Sequence, residues 1–312
     1  MINKRGEIFL KNYVENINQS ALNALCQNEI YQAQILFRQN VKDNPCFISF
    51  NNLGVFYAFE GLFKLDNSCR GAKKLGIKYL KNAETFQKSH LTLFALGTIF
   101  FEYEDYKEAE MYFKQTYELK HDYSSAYNLA LSFYRQNLYV ESMEYFKKAL
   151  DVYDDFHHYD DSEHIETYVA YAFSLLQIDK NKCREALSYL FEDETEYMES
   201  DKFTLAYLCG EFEIAECLIS PMLEHFSLTS KEMAMVFDCL FKFNKKDEAE
   251  KYLNNKIEIL KEHDYHSQYD IRQLKKAFSQ EEYRKELILS FRYIRPLIKE
   301  CCYYGCKQHN PL

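Results

Sequence analysis

Apolar and polar residues recur along most of this chain with the period of a helix, and short polar links separate the helical stretches. Apolar side chains three or four positions apart lie on one face of a helix, so the pattern predicts helices that each bury one face. The clearest stretch is residues 90–155. It predicts successive pairs of antiparallel helices joined by short turns.

Two of these helix pairs repeat each other with a shift of 33 residues. In both copies a small residue follows Leu, a large apolar residue comes three positions later, and a second small residue precedes an aromatic residue by four. The first copy has Leu96, Gly97, Phe100, Tyr106, Ala109 and Phe113, and the second has Leu129, Ala130, Phe133, Tyr139, Ser142 and Phe146. Such a pattern lets two helices pack closely and stack on their neighbours.

At these residues the chain resembles the tetratricopeptide repeat (TPR) family, whose unit is about 34 residues long. The resemblance implies an all-α fold, a right-handed α-solenoid of helix-turn-helix repeats, and a function in binding other polypeptides. Weaker copies extend the array to about seven units over residues 1–262. Residues 263–312 are predicted to form capping helices and a Cys-rich tail, because the last repeat of an array needs a cover for its apolar face.

The last capping helix is predicted to begin at a capping box, Ser279 with Glu282, and to run to about Lys299. Pro296 is expected to kink it or to stop it early.

Composition supports helices and gives the interior an aromatic character. Only 8 Gly and 4 Pro occur in 312 residues, which argues against sheets joined by tight turns. The 27 Tyr and 25 Phe provide large contact areas at low conformational cost. No apolar run is long enough to span a bilayer, and no secretory leader follows Met1, so we expect a cytoplasmic protein without a membrane partner.

In TPR proteins the first helix of each unit lines the inner wall of the superhelix. The resemblance assigns the wall positions here to Asn51, Val55, Ala58, Phe94, Thr98, Phe101, Tyr127, Leu131, Tyr134, Val169, Phe173 and Leu176. This wall is aromatic and aliphatic, and an exposed apolar stripe of this kind marks an interaction site. We expect it to capture an amphipathic helix or a hydrophobic peptide. Two other occupants stay open, namely the chain's own C-terminal helices and a second copy in a homodimer.

Family members that hold a C-terminal carboxylate use Lys, Arg and Asn along the same wall. Asn52 and Asn128 would suit this role. However, the assigned wall positions include no Lys or Arg, which argues against a carboxylate clamp.

Charge and motifs narrow the function class. The formal net charge of −10 disfavours direct binding of nucleic acid, because the phosphates would be repelled. We find no phosphate-binding glycine loop, nucleophile elbow or zinc-protease motif, so we predict a non-enzymatic adaptor or receptor. An alternative is a peptide-sensing regulator similar to Gram-positive pheromone receptors. It would lack their DNA-binding head, since the repeats begin by about Ala21.

The tail carries a candidate metal or redox site. Three thiols and an imidazole occur within nine residues, as Cys301, Cys302, Cys306 and His309. Such soft ligands suit a tetrahedral Zn²⁺ ion, although adjacent cysteines are awkward ligands for one ion. A zinc- or redox-responsive protein is therefore a third functional hypothesis. A reduced tail without metal and redox-linked dimerisation are its alternatives.

Overall fold

The computed structural model of the chain describes residues 16–60, 69–156, 161–192, 198–225, 228–263 and 267–310. All regular secondary structure in these ranges is helical, which confirms the all-α prediction. None of the described helices combines the length and the apolar character that a bilayer-spanning segment needs.

The helices follow one another with short links. In chain order they are α1 (16–26), α2 (Ile30–Asp43), α3 (Phe47–Val55, continued by a π-helical segment at Phe56–Glu60), α4 (Cys69–Glu84), α5 (His90–Glu102), α6 (Tyr106–Lys120), α7 (Tyr123–Arg135), α8 (Tyr139–Phe156), α9 (Asp161–Ile178), α10 (Lys180–Glu192), α11 (Glu199–Cys209), α12 (Phe212–His225), α13 (Ser230–Lys242), α14 (Lys246–His263), α15 (Ser267–Ser279) and α16 (Glu281–Leu289).

These helices form two compact units. Unit 1 comprises Met1–Phe156 together with Leu297–Leu312, and unit 2 comprises His157–Pro296. The C-terminal tail therefore belongs to the N-terminal unit, whereas the sequence-based division at residue 262 grouped it with the capping helices.

Five of the helical hairpins share one turn geometry. Each turn contains a residue with φ between 57° and 88°, namely Asn28, Glu104, Asn137, Gly210 and Asn244. Its N–H bonds to the carbonyl three residues earlier, and the next N–H bonds to the carbonyl five residues earlier. In one example Asn137 bonds to Tyr134 and Leu138 bonds to Phe133, both at 3.0 Å. This is the Schellman arrangement, and Asn recurs because it tolerates the left-handed conformation better than most residues.

In unit 1, a small residue on the first helix of a hairpin faces a large residue on the second. A Cβ atom on Gly97 of α5 would lie 2.8 Å from the Phe113 ring of α6. The same two positions relative to the turn hold Ala21 with Phe37 and Ala130 with Phe146 in unit 1, but Phe203 with Ile219 and Phe237 with Leu253 in unit 2. Unit 2 thus has Phe on the first helix and an aliphatic residue on the second. All four of these unit 2 residues are buried in one cluster, so the two positions stay in the core although the sequence pattern is lost.

Helices α15 and α16 pack on α13 as the predicted cap. The last helix, however, ends at Leu289 and does not reach Lys299, and its N-cap is Gln280 in place of Ser279. Residues 291–300 are extended or irregular. One cause is Pro296, which disfavours a helical conformation at the residue before it. A second is the ring of Tyr293, which stacks on Phe173 of α9 at 3.8 Å between ring centres.

Candidate functional site

The predicted wall positions of unit 1 lie on α3, α5 and α7, the first helices of three hairpins. Most of them are buried: Asn51, Val55, Ala58, Phe94, Thr98, Tyr127 and Leu131 are at most 2% exposed. The chain itself contributes to this cover, because residues 297–304, here called the tail segment, bond to α3 and α7. We call the surface that receives them the groove of unit 1.

Phe101 and Tyr134 were also assigned to this wall, and both are partly buried. Their rings pack edge-on against Tyr106 and Tyr139, at 5.1 and 5.4 Å between ring centres. Each ring therefore covers the start of the second helix of its own hairpin. Their role in binding a partner stays a prediction.

Two asparagine side chains hold the tail segment by its main chain. The Asn128 amide donates from Nδ2 to the carbonyl of Ile298 and accepts the N–H of Ile298 at Oδ1, both at 2.9 Å. The Asn52 amide makes the same pair of bonds with Tyr304, both at 2.8 Å. Each amide thus satisfies both polar main-chain groups of one residue, as a neighbouring β-strand would. These bonds therefore recognise the main chain of the tail segment and not its side chains.

A network of polar side chains supports the amide of Asn52. Its Nδ2 donates to Asn18 Oδ1 at 2.7 Å, and its Oδ1 accepts from Asn51 Nδ2 at 3.0 Å. Asn51 also donates to the carbonyl of Cys302 at 3.0 Å and accepts from Thr92 Oγ1 at 2.8 Å. Because buried polar groups are costly without partners, the network fixes the amides in the orientation that hydrogen-bonds to the tail segment.

The side chains of the tail segment fill apolar positions in unit 1. The Tyr303 ring stacks on Phe37 at 5.8 Å, and the Tyr304 ring meets Phe47 edge-on at 5.3 Å. Cys302 is 2% exposed. Aromatic contacts of this kind contribute beyond the area they bury.

The tail segment does not fill the whole groove. A pocket of about 430 Å³ remains beside it, and its lining includes Val55, Phe94, Glu60, Lys73, Glu102 and Lys299. Glu102 bonds to Lys73 at 2.8 Å and to Lys299 of the tail segment at 3.2 Å. Burial by itself would raise the pKa of the Glu102 carboxyl, but the two ammonium groups outweigh it and lower that pKa. The pocket therefore combines an apolar floor with a charged rim.

The wall positions assigned to unit 2 are Val169, Phe173 and Leu176 on α9, and all three are buried. Here too the chain provides the cover, since Phe173 stacks on Tyr293. Arg295 holds the same segment through an ion pair with Asp201 and a bond of 2.9 Å to the Tyr293 hydroxyl.

The prediction of a groove open to solvent is therefore wrong for most wall positions. The alternative that the chain's own C-terminal helices fill the groove is right about the part of the chain but wrong about its secondary structure. The occupant is an extended segment. The sequence pattern indicates Asn52 and Asn128 only as carboxylate ligands and does not reveal their pairing with the main chain. One feature of the sequence indicates a shared role for the two asparagines. Each precedes the small residue of its first helix, Gly54 or Ala130, by two positions.

Of the predicted metal ligands, the structure brings together Cys301, Cys306 and His309, whose ligand atoms all lie within 4.8 Å of one another. Burial raises the pKa of the Cys301 thiol to about 11. Burial also opposes ionisation of Cys306, but hydrogen bonds from His309 and nearby backbone outweigh it and lower the pKa of that thiol. Cys302 is buried and is not part of this group, which corrects the four-ligand prediction.

Comparison with known proteins supports the fold. No protein-family model matches the sequence, and no curated protein matches it. Among solved structures, a tetratricopeptide repeat protein from Parabacteroides merdae is 12% identical with a TM-score of 0.57, and the match covers 88% of this chain and 97% of that one. PilF of Pseudomonas aeruginosa is 14% identical with a TM-score of 0.50, covering 85% and 98%. The apo form of the quorum sensor NprR from B. thuringiensis is 13% identical with a TM-score of 0.59, covering 88% and 84%.

These likenesses define the class of fold as a TPR-type solenoid, which confirms the prediction made from the repeated residues. The chain therefore has a divergent TPR-like fold.

Proposed function

We propose that this chain is a non-enzymatic peptide-binding protein whose unit 1 groove takes an extended peptide by its main chain. The tail segment occupies this site as a built-in ligand until a partner replaces it. The observation that carries the proposal is the double pairing of Asn128 with Ile298 and of Asn52 with Tyr304.

The contacts in the groove indicate what kind of peptide it would bind. Two main-chain pairs six residues apart require an extended peptide of at least seven residues. In such complexes the main-chain bonds supply affinity and the side-chain pockets supply specificity. The aromatic contacts of Tyr303 and Tyr304 with Phe37 and Phe47 favour apolar or aromatic residues at the end of the peptide that Asn52 holds.

Because the tail segment is part of the same chain, it regulates the access of a partner to the groove. The tail segment competes for the groove at a high effective concentration, because it is joined to the same chain. A partner must therefore bind more tightly than the free segment would, or bind when the segment has left. The fold likeness to NprR, which is a quorum sensor, favours a variant of this function in which arrival of a peptide is the signal.

A synthetic peptide tests the proposal in a full-length variant whose own tail is weakened. Leu297→Asp with Cys302→Asp places two charges at buried positions of the tail segment, and the groove helices are unchanged. The probe is a fluorescent peptide of residues 297–305 with both cysteines replaced by alanine, and the measurement is fluorescence anisotropy. We expect saturable binding to this variant and weaker binding to the native chain.

Backbone methylation of the peptide distinguishes main-chain recognition from other modes. N-methylation at Ile298 removes the donor to Asn128, and the loss of a buried bond predicts about 10- to 100-fold weaker binding. N-methylation at Glu300 is the matched control. In the protein, Asn128→Ala should have a similar effect, whereas Asn255→Ala at an exposed position of α14 should have none. Equal binding of both methylated peptides, or no binding to a folded variant, contradicts the proposal.

A further inference from the structure

The tail segment runs into a closed loop formed by residues 301–310, here called the cysteine loop. Gly305 adopts a φ of 77°, which turns the chain back, and the N–H of Cys306 bonds to the carbonyl of Tyr303 at 3.4 Å. The Asn310 N–H bonds to the carbonyl of Cys306 at 2.7 Å, and its side-chain amide donates to the carbonyls of Cys301 and Tyr303. These bonds join the two ends of the loop.

This closure brings three soft ligand atoms together. Cys301 comes from the start of the loop, Cys306 follows the glycine turn, and His309 lies one turn further on. Their ligand atoms lie within 4.8 Å of one another, and Cys306 Sγ is 3.4 Å from His309 Nδ1. Zinc with bonds of about 2.3 Å to sulfur and about 2.0 Å to nitrogen would separate these two atoms by about 3.5 Å in a tetrahedral site. The observed spacing fits that edge.

The neighbouring Cys302 is excluded by the direction of the chain. Successive residues of an extended segment point to opposite sides, so Cys302 faces the groove of unit 1 when Cys301 faces the loop. Its Sγ donates to the carbonyl of Glu300 at 3.5 Å and is buried. The difficulty of adjacent cysteines on one ion therefore does not arise.

We propose that Cys301, Cys306 and His309 form a Zn²⁺ site with two sulfur ligands and one nitrogen ligand. The two thiols lose their protons to solvent when the ion binds. The fourth position is open to water or to an added ligand, because His309 is exposed and Cys301 and Cys306 are only partly buried. Softness selects the ion, since thiolate with imidazole suits zinc better than magnesium or calcium.

The site lies beside two residues of the tail segment that contact the groove of unit 1. Tyr303 and Tyr304 stand inside the cysteine loop, and both contact the groove of unit 1. A bound ion would therefore stabilise the loop in the shape that presents these two residues to the groove.

Metal titration of the reduced full-length protein tests the site. Zinc chloride is titrated against a chromophoric chelator, and cobalt(II) is used in parallel because tetrahedral thiolate coordination gives it charge-transfer and visible bands. We expect one ion per chain and a cobalt spectrum typical of two thiolates. Cys306→Ser and His309→Ala should each weaken zinc binding by at least about 100-fold, as expected for the loss of a direct ligand.

Two cysteine variants serve as matched controls. Cys217→Ser changes an exposed thiol in unit 2, and Cys26→Ser changes an exposed thiol in unit 1. Both should bind zinc like the native chain. Three results would overturn the proposal: no retained zinc in the native chain, equal affinity of Cys306→Ser and native protein, or a Cys301–Cys306 disulfide that persists under reducing conditions.

Discussion

At the residue scale, buried polar side chains determine what this molecule can hold. Asn51, Asn52 and Asn128 are fully buried, and each has hydrogen-bond partners in unit 1. An amide in such a place is costly unless its donor and acceptor are satisfied, and the tail segment supplies a main-chain partner to each of these three side chains. Any peptide that replaces the segment must restore these bonds.

A second buried polar centre lies in unit 2 and gives a testable pH dependence. Asp238 of α13 accepts from the Tyr207 hydroxyl at 2.7 Å and pairs with Lys242 and with the buried Arg284. Burial by itself raises the pKa of the Asp238 carboxyl, but the hydrogen bonds of these three groups outweigh it, so the pKa is lower than its ordinary value. The carboxylate therefore stabilises the fold at neutral pH.

Asp238→Asn should lower the free energy of unfolding by about 2–4 kcal/mol at pH 7, because Arg284 would keep a buried charge without its carboxylate partner. Since the native pKa is depressed, this contribution is complete above the ordinary pKa of about 3.9 and is lost as the pH falls below it. Urea unfolding from pH 7 to pH 2.5 measures the effect. The variant should lose less stability in acid than the native chain, and Asp247→Asn, at an exposed position, should behave as native. A native-like acid profile for Asp238→Asn would contradict the assignment.

How far the structure can be predicted from the sequence also depends on the residue type. Apolar and small residues of the repeat, such as Gly97 and Phe113, predict the fold because helical packing depends on their spacing and size. Asn52 and Asn128 could not be assigned in the same way. An asparagine amide has both donor and acceptor, so its partner depends on which chain lies opposite, and that chain is more than 160 residues away in sequence. The exclusion of Cys302 from the metal ligands likewise depends on which way an extended segment faces.

At the element scale, hairpins keep two equivalent positions buried while the residues at these positions change. The first-helix residue is small in unit 1 at Ala21, Gly97 and Ala130, and it is Phe203 and Phe237 in unit 2. The exchange explains why repeats after residue 156 are harder to recognise. Within unit 1, the close contact of Gly97 with Phe113 predicts that the small residue cannot grow unless its partner shrinks.

Gly97→Ala tests this packing. The new Cβ would lie 2.8 Å from Phe113, which is fully buried and backed by the Phe94 ring at 5.6 Å. We expect a loss of about 1–3 kcal/mol in the free energy of unfolding, although alanine is the better helix former. Phe113→Leu in the same chain should restore part of that loss. Gly71→Ala, at an exposed position of α4, is the matched control and should be neutral or stabilising. Equal effects of the two glycine substitutions would contradict close packing at Gly97.

At the scale of the whole molecule, the last residues of the chain complete its first unit. Contacts such as Asn52 with Tyr304 join residues 252 positions apart. Closing so long a loop costs conformational entropy, so the bonds and ring contacts of the tail segment must exceed that cost. The proposed function requires that a segment held in this way is exchanged for a peptide that makes the same contacts.

Exchange of the tail segment is most directly measured at Cys302. This thiol is 2% exposed while the segment is docked, and Cys26 is exposed and serves as the internal reference. The native chain is alkylated, the modified fraction of each cysteine is read by mass spectrometry, and a cysteine-free peptide of residues 297–305 is added at increasing concentration. The account predicts that Cys302 reacts much more slowly than Cys26 in the free chain, and that its rate rises with peptide and then saturates. A Cys302 rate equal to that of Cys26 without peptide, or a rate unchanged at saturating peptide, would contradict it.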